Sequence, residues 1–185
     1  FKKDPNPENA KLTEWEVEIK GGFIFIAKDP SFSLSKQLGD EVVNIISLVG
    51  NSIEKFESVQ NLFYSSNWLI TIENALEPYH LNNIHPKSLN ELRLNDGFNK
   101  IWEWSSLWNA ESNNKRLKNL STCLKGSIDS KINIKGYWSL YLFPFVQISS
   151  TEGLSFSMQI FDPCTSSLSE KTNFHTYIYS PKLKV

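Results

Sequence analysis

NWLITIENALEPYHLNNIHPKSL, residues 67–89, holds two of the three histidines in the chain, His80 and His85, five positions apart, with Pro78 before the first and Pro86 after the second. Asn67 is a good N-cap for a helix that begins at Trp68. On a helical wheel with Leu69 at zero, Leu69, Ile72, Leu76 and Tyr79 share one arc, and His80, Glu73 and Glu77 fall within about 80° beside it. The acids and the first histidine are therefore expected on the face that is buried. Carboxylates are rarely buried unless they are paired or bind a metal, so two readings stand here. Either a divalent ion satisfies the acids and histidines together, or Glu73 and Glu77 sit at the edge of the stripe and bond to neighbouring protein groups. On an unbroken helix His85 would point about 140° away from His80. Pro78 ends or kinks the helix and Pro86 biases His85 towards an extended conformation, which lets the chain fold back so that both imidazoles converge.

Working outward, the 185 residues form one domain, or one domain with a remnant of another, and are long enough to bury a core without staples. Forty per cent apolar and 13% aromatic residues fit a compact globule, and 19 basic against 20 acidic residues, without a long run of either sign, give no nucleic-acid or membrane-binding face. Cys123 and Cys164 stand alone, which excludes a CxxC zinc site or an iron–sulfur cluster held by this chain. No signal-peptide core and no window of ~20 apolar residues is present, so a soluble, cytoplasmic protein is expected.

Upstream, TEWEVEIK and FIFIAK read as two strands around Gly21-Gly22, with Trp15, Val17 and Ile19 on one face. Leu34–Val49 has helical spacing interrupted at Gly39, and residues 53–66 read as a strand. Downstream, residues 109–131 are polar and are expected to form a mobile excursion. YWSLYLF, LSFSMQIF and NFHTYIY are strand-like, with bends at Phe143-Pro144-Phe145 and Asp162-Pro163. Strands at both ends and helices between them predict an α+β domain with an antiparallel sheet.

Taken together, Asn67-Trp68, Glu73-Asn74, Leu76-Glu77, Tyr79-His80 and His85-Pro86 resemble the signature of Rieske-type non-haem iron oxygenases, the large subunits of aromatic-ring-hydroxylating dioxygenases and their relatives. In that signature NW is followed by EN, an acid three residues before the first histidine, YH, and a second histidine five residues on. WEVEIKGGFIFIAKDP is similar to the end of the family's Rieske domain, SLSKQLGD to the start of its catalytic domain, and YLFPFVQIS to a strand and bend after its substrate loops.

The resemblance implies a TBP-like, helix-grip catalytic domain over 31–185, with helices packed on one face of the sheet, behind a C-terminal remnant of a Rieske domain over 1–30. It implies that His80 and His85 bind one Fe(II), since two histidines and a carboxylate on one face of iron leave positions open for dioxygen and substrate. It gives Glu77 the role of the acid that bridges the first histidine to a neighbouring subunit's cluster, and makes Asn74 and Tyr79 neighbours of that shell. Core packing explains Tyr79 equally well, and His175 is read as structural.

The implied function is hydroxylation or oxidative demethylation of a small organic substrate with O2. Electrons would come from an NAD(P)H-dependent reductase, with or without a ferredoxin, through a [2Fe–2S] Rieske cluster in a homotrimer. Phe98, Trp102, Trp104, Trp108 and Phe143 are candidate pocket walls, with Trp102, Trp104 and Phe143 foremost; core packing is the competing assignment. The family's CxH and CxxH pair has no counterpart here, and no acid follows Glu170 to supply a third ligand. The expectation is a piece truncated on both sides and inactive alone. The alternatives are a non-catalytic ligand-binding relative that has lost the iron site, and a zinc site for hydrolysis.

Overall fold

The computed structural model describes residues 12–85, 87–163 and 171–184. Pro86, Cys164 and Glu170, on which the sequence raised expectations, lie outside them.

Strands β1 (Glu16–Lys20) and β2 (Phe23–Ala27) pair antiparallel as a hairpin. Gly21 and Gly22 have φ of 57° and 82°, which suits a two-residue turn that only residues without a Cβ enter freely. Trp15, Val17 and Ile19 do share a face, but that face is exposed, and Phe23 and Phe25 on the other side pack against the core. Helix α1 (Leu34–Ser52), capped by Ser33, bends at Gly39 (φ 71°). A methyl group on Gly50 would overlap the carbonyl oxygen of Gly21, so the hairpin turn seats directly on the last turns of α1.

The remaining strands form one antiparallel sheet. They are β3 (Ile53–Tyr64), β4 (Phe98–Ile101), β5 (Ser105–Ala110), β6 (Tyr137–Leu142), β7 (Val146–Thr151), β8 (Phe156–Pro163) and β9 (Thr172–Pro181), in the order β3-β9-β8-β7-β6-β5-β4. Strand alternation gives this sheet two unlike faces. Trp138, Leu140, Leu142, Ile148 and Phe156 meet Leu38, Val42, Ile46 and Val49 of α1 and form the apolar core. Between them point Tyr137, Ser139, Gln147, Ser149, Ser157 and Gln159, and over this second face lies helix α2 (Trp68–Leu76), tied to it by Gln147 Nε2 donating to the Ala75 carbonyl at 3.4 Å. The α+β architecture with an antiparallel sheet is as expected, but the helices do not all pack on one face as the resemblance implied: they divide between the faces because α1 has an apolar stripe to bury while α2 covers a polar floor.

Asn67 caps α2 as its sequence position predicts, its Oδ1 accepting the Leu69 N–H at 2.8 Å. Asn67→Ala is expected to cost about 1 kcal/mol and to lower the melting temperature by about 2–4 °C; an unchanged melting curve would show that the cap contributes nothing. The polar segment expected to be a mobile excursion is instead helix α4 (Lys115–Lys125). Asn114 accepts the N–H groups of Arg116 and Leu117, and Ser121 is buried against Glu152. Its polar side chains face solvent, so its low apolar content misrepresented its order.

Candidate functional site

Helix α2 stops one residue before the proline. Glu77 is its C-cap with extended backbone (φ −89°, ψ 130°), because Pro78 disfavours helical geometry in the residue before it and has no N–H to continue the ladder. The wheel therefore ceases to apply at residue 77. Glu73 is exposed, Leu69 and Tyr79 are 48% and 79% exposed, and only Ile72 of the expected stripe is fully buried.

What the helix does not bring together, the turn does. Glu77 Oε1 is hydrogen-bonded to His80 Nδ1, and its Oε2 accepts the N–H of Tyr79 at 3.1 Å and of His80 at 3.4 Å. Both partners are mostly shielded, with 14% of the His80 side chain and 26% of the Glu77 side chain exposed. A carboxylate accepts only, so the hydrogen of this bond sits on Nδ1, and in the neutral ring the lone pair is on Nε2. His80 opens a single-turn helix, α3 (Leu81–Ile84), and His85 closes it at φ −116°, ψ 51°, neither helical nor extended. Across that turn the two imidazoles converge, with ring centroids 5.4 Å apart and planes at 68°.

Both histidines line a cavity of about 610 Å³ between α2, α3 and the polar face of the sheet, within the range of small-molecule sites. Glu77 and Asn74 border it from α2; Ser139, Gln147 and Gln159 form its floor; Trp108, Tyr137, Phe161 and Phe174 stand around it. The predicted pocket residues divide. Trp108 is in the wall, whereas Trp102, Trp104, Phe143 and Phe98 do not border this cavity. Trp102 donates from Nε1 to Glu41 and packs against the α1 core. Trp104 stacks between Phe32 and Phe143 at 5.7 and 5.2 Å. Trp108 lies within β5 opposite Ser139 and points to the polar face of the sheet, while its neighbour Leu107 points to α1; Trp102 and Trp104 lie in the link between β4 and β5.

Tyr137, Ser139, Gln147, Gln159, Phe161 and Phe174 escaped the sequence reading. The signal was the alternation of serine and glutamine with large apolar residues in YWSLYL, VQISST and FSMQIF, which marks a sheet with a polar interior face. Burial pushes the Tyr137 phenol up, which keeps it neutral in the cavity wall. His175 stands apart, its Nδ1 2.7 Å from Asn61 Oδ1 on the neighbouring strand.

Two convergent imidazoles, one with its Nδ1 held by a carboxylate, fit the histidine part of a mononuclear metal site and its supporting hydrogen bond. Among the described residues no three His, Cys, Asp or Glu side chains are placed to hold one ion, so a third ligand of those types is not among them. Glu77→Gln is expected to weaken Fe(II) binding about 10- to 100-fold, the usual effect of losing an outer partner of a metal-binding histidine. Its far-ultraviolet dichroism should stay unchanged, and full affinity in this variant would count against the role given to Glu77.

No protein-family model and no curated protein sequence matches the chain. Solved structures do. The quaternary ammonium Rieske monooxygenase CntA in complex with L-carnitine superposes with a TM-score of 0.69 at 15% identity, over 97% of this chain and 44% of that one. In complex with the inhibitor MMV12 the same enzyme gives a TM-score of 0.71 at 16% identity, over 97% and 46%. A quaternary ammonium Rieske monooxygenase described with carnitine oxidation by gut microbiota and inter-subunit electron transfer gives 0.67 at 17% identity, over 90% and 42%. The chain has the fold of a Rieske oxygenase catalytic domain. It spans less than half the length of these Rieske oxygenases. Within that fold, α2, α3 and the polar face of the sheet enclose the cavity and its histidine pair. No helix among the described residues is long and apolar enough to cross a membrane.

Proposed function

We propose that this chain is the mononuclear-iron part of a Rieske-type oxygenase that hydroxylates or oxidatively dealkylates a small organic substrate. The carrying observation is the convergence of His80 and His85 beside a 610 Å³ cavity, with Glu77 on the outer nitrogen of His80. Fe(II) bound by these histidines supplies the activation of dioxygen. Glu77 holds the hydrogen of His80 Nδ1, which would leave Nε2 as the atom to hold the ion, and its own bonds to the backbone N–H groups of residues 79 and 80 fix the ring in place. The aromatic wall and the sheet floor hold the substrate against the histidine end, and Asn74 borders the same space.

Electrons would come from an NAD(P)H-dependent reductase through a [2Fe–2S] cluster, for which this chain has no CxH and CxxH pair, and across a subunit contact in a cytoplasmic homotrimer, with Glu77 on the path. In this reading residues 1–30 belong to the end of the Rieske domain and 31–185 to the catalytic domain. Support comes from the fold, the histidine spacing and the cavity together.

Anaerobic Fe(II) titration tests the proposal, with the paramagnetic nitrosyl complex as the readout. One ion per chain and the spin-3/2 signal of a non-haem nitrosyl are expected. A second reading, a binding protein of the same fold without chemistry, draws on the absence of a third ligand among the described residues; stoichiometric ligand binding with no iron uptake would favour it and end the oxygenase proposal.

A further inference from the structure

We propose that the cavity beside the histidines takes an uncharged substrate that carries a hydroxyl or amide group and no carboxylate. The selection belongs to the sheet end of the cavity and does not rest on the oxygenase proposal, whose Fe(II) would add positive charge only at the histidine end.

The charge inventory of the cavity is the first argument. Among the described residues that line it there is no lysine or arginine. Its one acid, Glu77, already has both oxygens engaged, by the His80 ring and by two backbone N–H groups. A carboxylate brought to the sheet end would lose its water without gaining a cation, and a cationic group would find no free carboxylate. Either burial is unfavourable.

The floor supplies the second argument, because it is polar without being charged. Gln147 Nε2 donates to Ser139 Oγ at 2.7 Å, and Ser149 and Ser157 bond to each other at 2.8 Å. Gln159 Nε2 spends its hydrogens on those two serines, at 3.3 and 3.0 Å. That leaves Gln159 Oε1 shielded from solvent and without a hydrogen-bond partner, on a side chain that lines the cavity. A buried acceptor of this kind is costly until a donor meets it. The oxygen is sealed off as it stands, so a hydroxyl or amide N–H meets it only when Gln159 turns towards the cavity; a carboxylate oxygen repels it. Around the floor, Trp108 and Tyr137, with centroids 5.8 Å apart, and Phe161 and Phe174, 4.9 Å apart, offer ring surface to the apolar remainder of the molecule.

Four probes that share one naphthalene ring separate the possibilities by ligand-observed NMR on the metal-free chain: 2-naphthalenemethanol, 2-methylnaphthalene, 2-naphthoate and (2-naphthylmethyl)trimethylammonium. The alcohol is expected to bind with a Kd about tenfold lower than any of the other three, the ratio one added hydrogen bond supplies. In Gln159→Met the alcohol should fall to the level of the hydrocarbon. Tighter binding of the carboxylate, which would turn the Gln159 amide outward as a donor, overturns the proposal. So does tighter binding of the quaternary ammonium, an alcohol no better than the hydrocarbon, an unchanged advantage in Gln159→Met, or no saturable binding by any probe. Should Gln159→Met fail to fold, the ranking on the unsubstituted chain decides. Because no metal is present, failure to take up iron would defeat the oxygenase reading and leave this ranking untouched.

Discussion

Alanine at His80 or at His85 should lower Fe(II) affinity by more than about 100-fold, since losing even an outer partner of a ligand costs about 10- to 100-fold. The two substitutions should do so for the same reason. The imidazoles lie 5.4 Å apart at the ends of one four-residue helical turn, so removing either leaves the ion with a single histidine from this chain. Neither ring belongs to the apolar core formed with α1, so the fold should survive. Thermal melting of the metal-free variants checks that point, and anaerobic titration with the nitrosyl signal checks the affinity. A further difference is expected between them. His80→Ala also strands Glu77, whose carboxylate loses its ring partner; His85→Ala leaves that bond intact. Uptake of one ion per chain by His80→Ala with unchanged affinity would remove the basis for an iron site here.

Glu152→Ala should be strongly destabilising for a substitution outside the apolar core, at about 3 kcal/mol. The side chain is 7% exposed and serves three donors. Oε1 accepts the buried Gly136 N–H at 2.8 Å, and Oε2 accepts from Ser121 Oγ at 3.1 Å and Lys125 Nζ at 3.2 Å. It thus pins α4 to the strand ends of β6 and β7. The lysine is 40% exposed and can turn to water, so its share is small. The Gly136 amide and the Ser121 hydroxyl cannot, and they account for most of the loss. For a domain of this size the melting temperature should fall by about 6–12 °C, against a small change for Lys125→Met. A fall under about 2 °C in Glu152→Ala would show that water replaces the carboxylate at little cost.

Much of the frame was legible in the chain. Asn67, the run Trp68–Leu76 and Pro78 determine a capped helix and its end, because capping and the missing proline N–H act within a few residues. The strand over 53–64 and the bend at Gly39 were likewise local. Beyond Leu76 the wheel failed for a local reason too: it was extended past Pro78, into residues whose backbone is no longer helical, whereas the exposure of Leu69 and Glu73 inside the helix depends on where α2 packs. Residues 109–131 were misjudged because a surface helix needs few apolar residues once Asn114 caps it and Glu152 holds it from beneath.

The sequence by itself determined the histidine pair, the acid three residues before it, and the α+β alternation of elements, since each depends on spacing along the chain. Only the tertiary structure decided which residues surround that pair. Strand pairing sets which face of the sheet a side chain joins, so Trp108 on β5 and Tyr137 on β6 reach the cavity, while Trp102 and Trp104, in the link between β4 and β5, meet Glu41, Phe32 and Phe143 instead. It also placed Ser139, Gln147 and Gln159, scattered over three segments of sequence, on one floor beneath α2. Register is a relation between strands, and no single strand carries it.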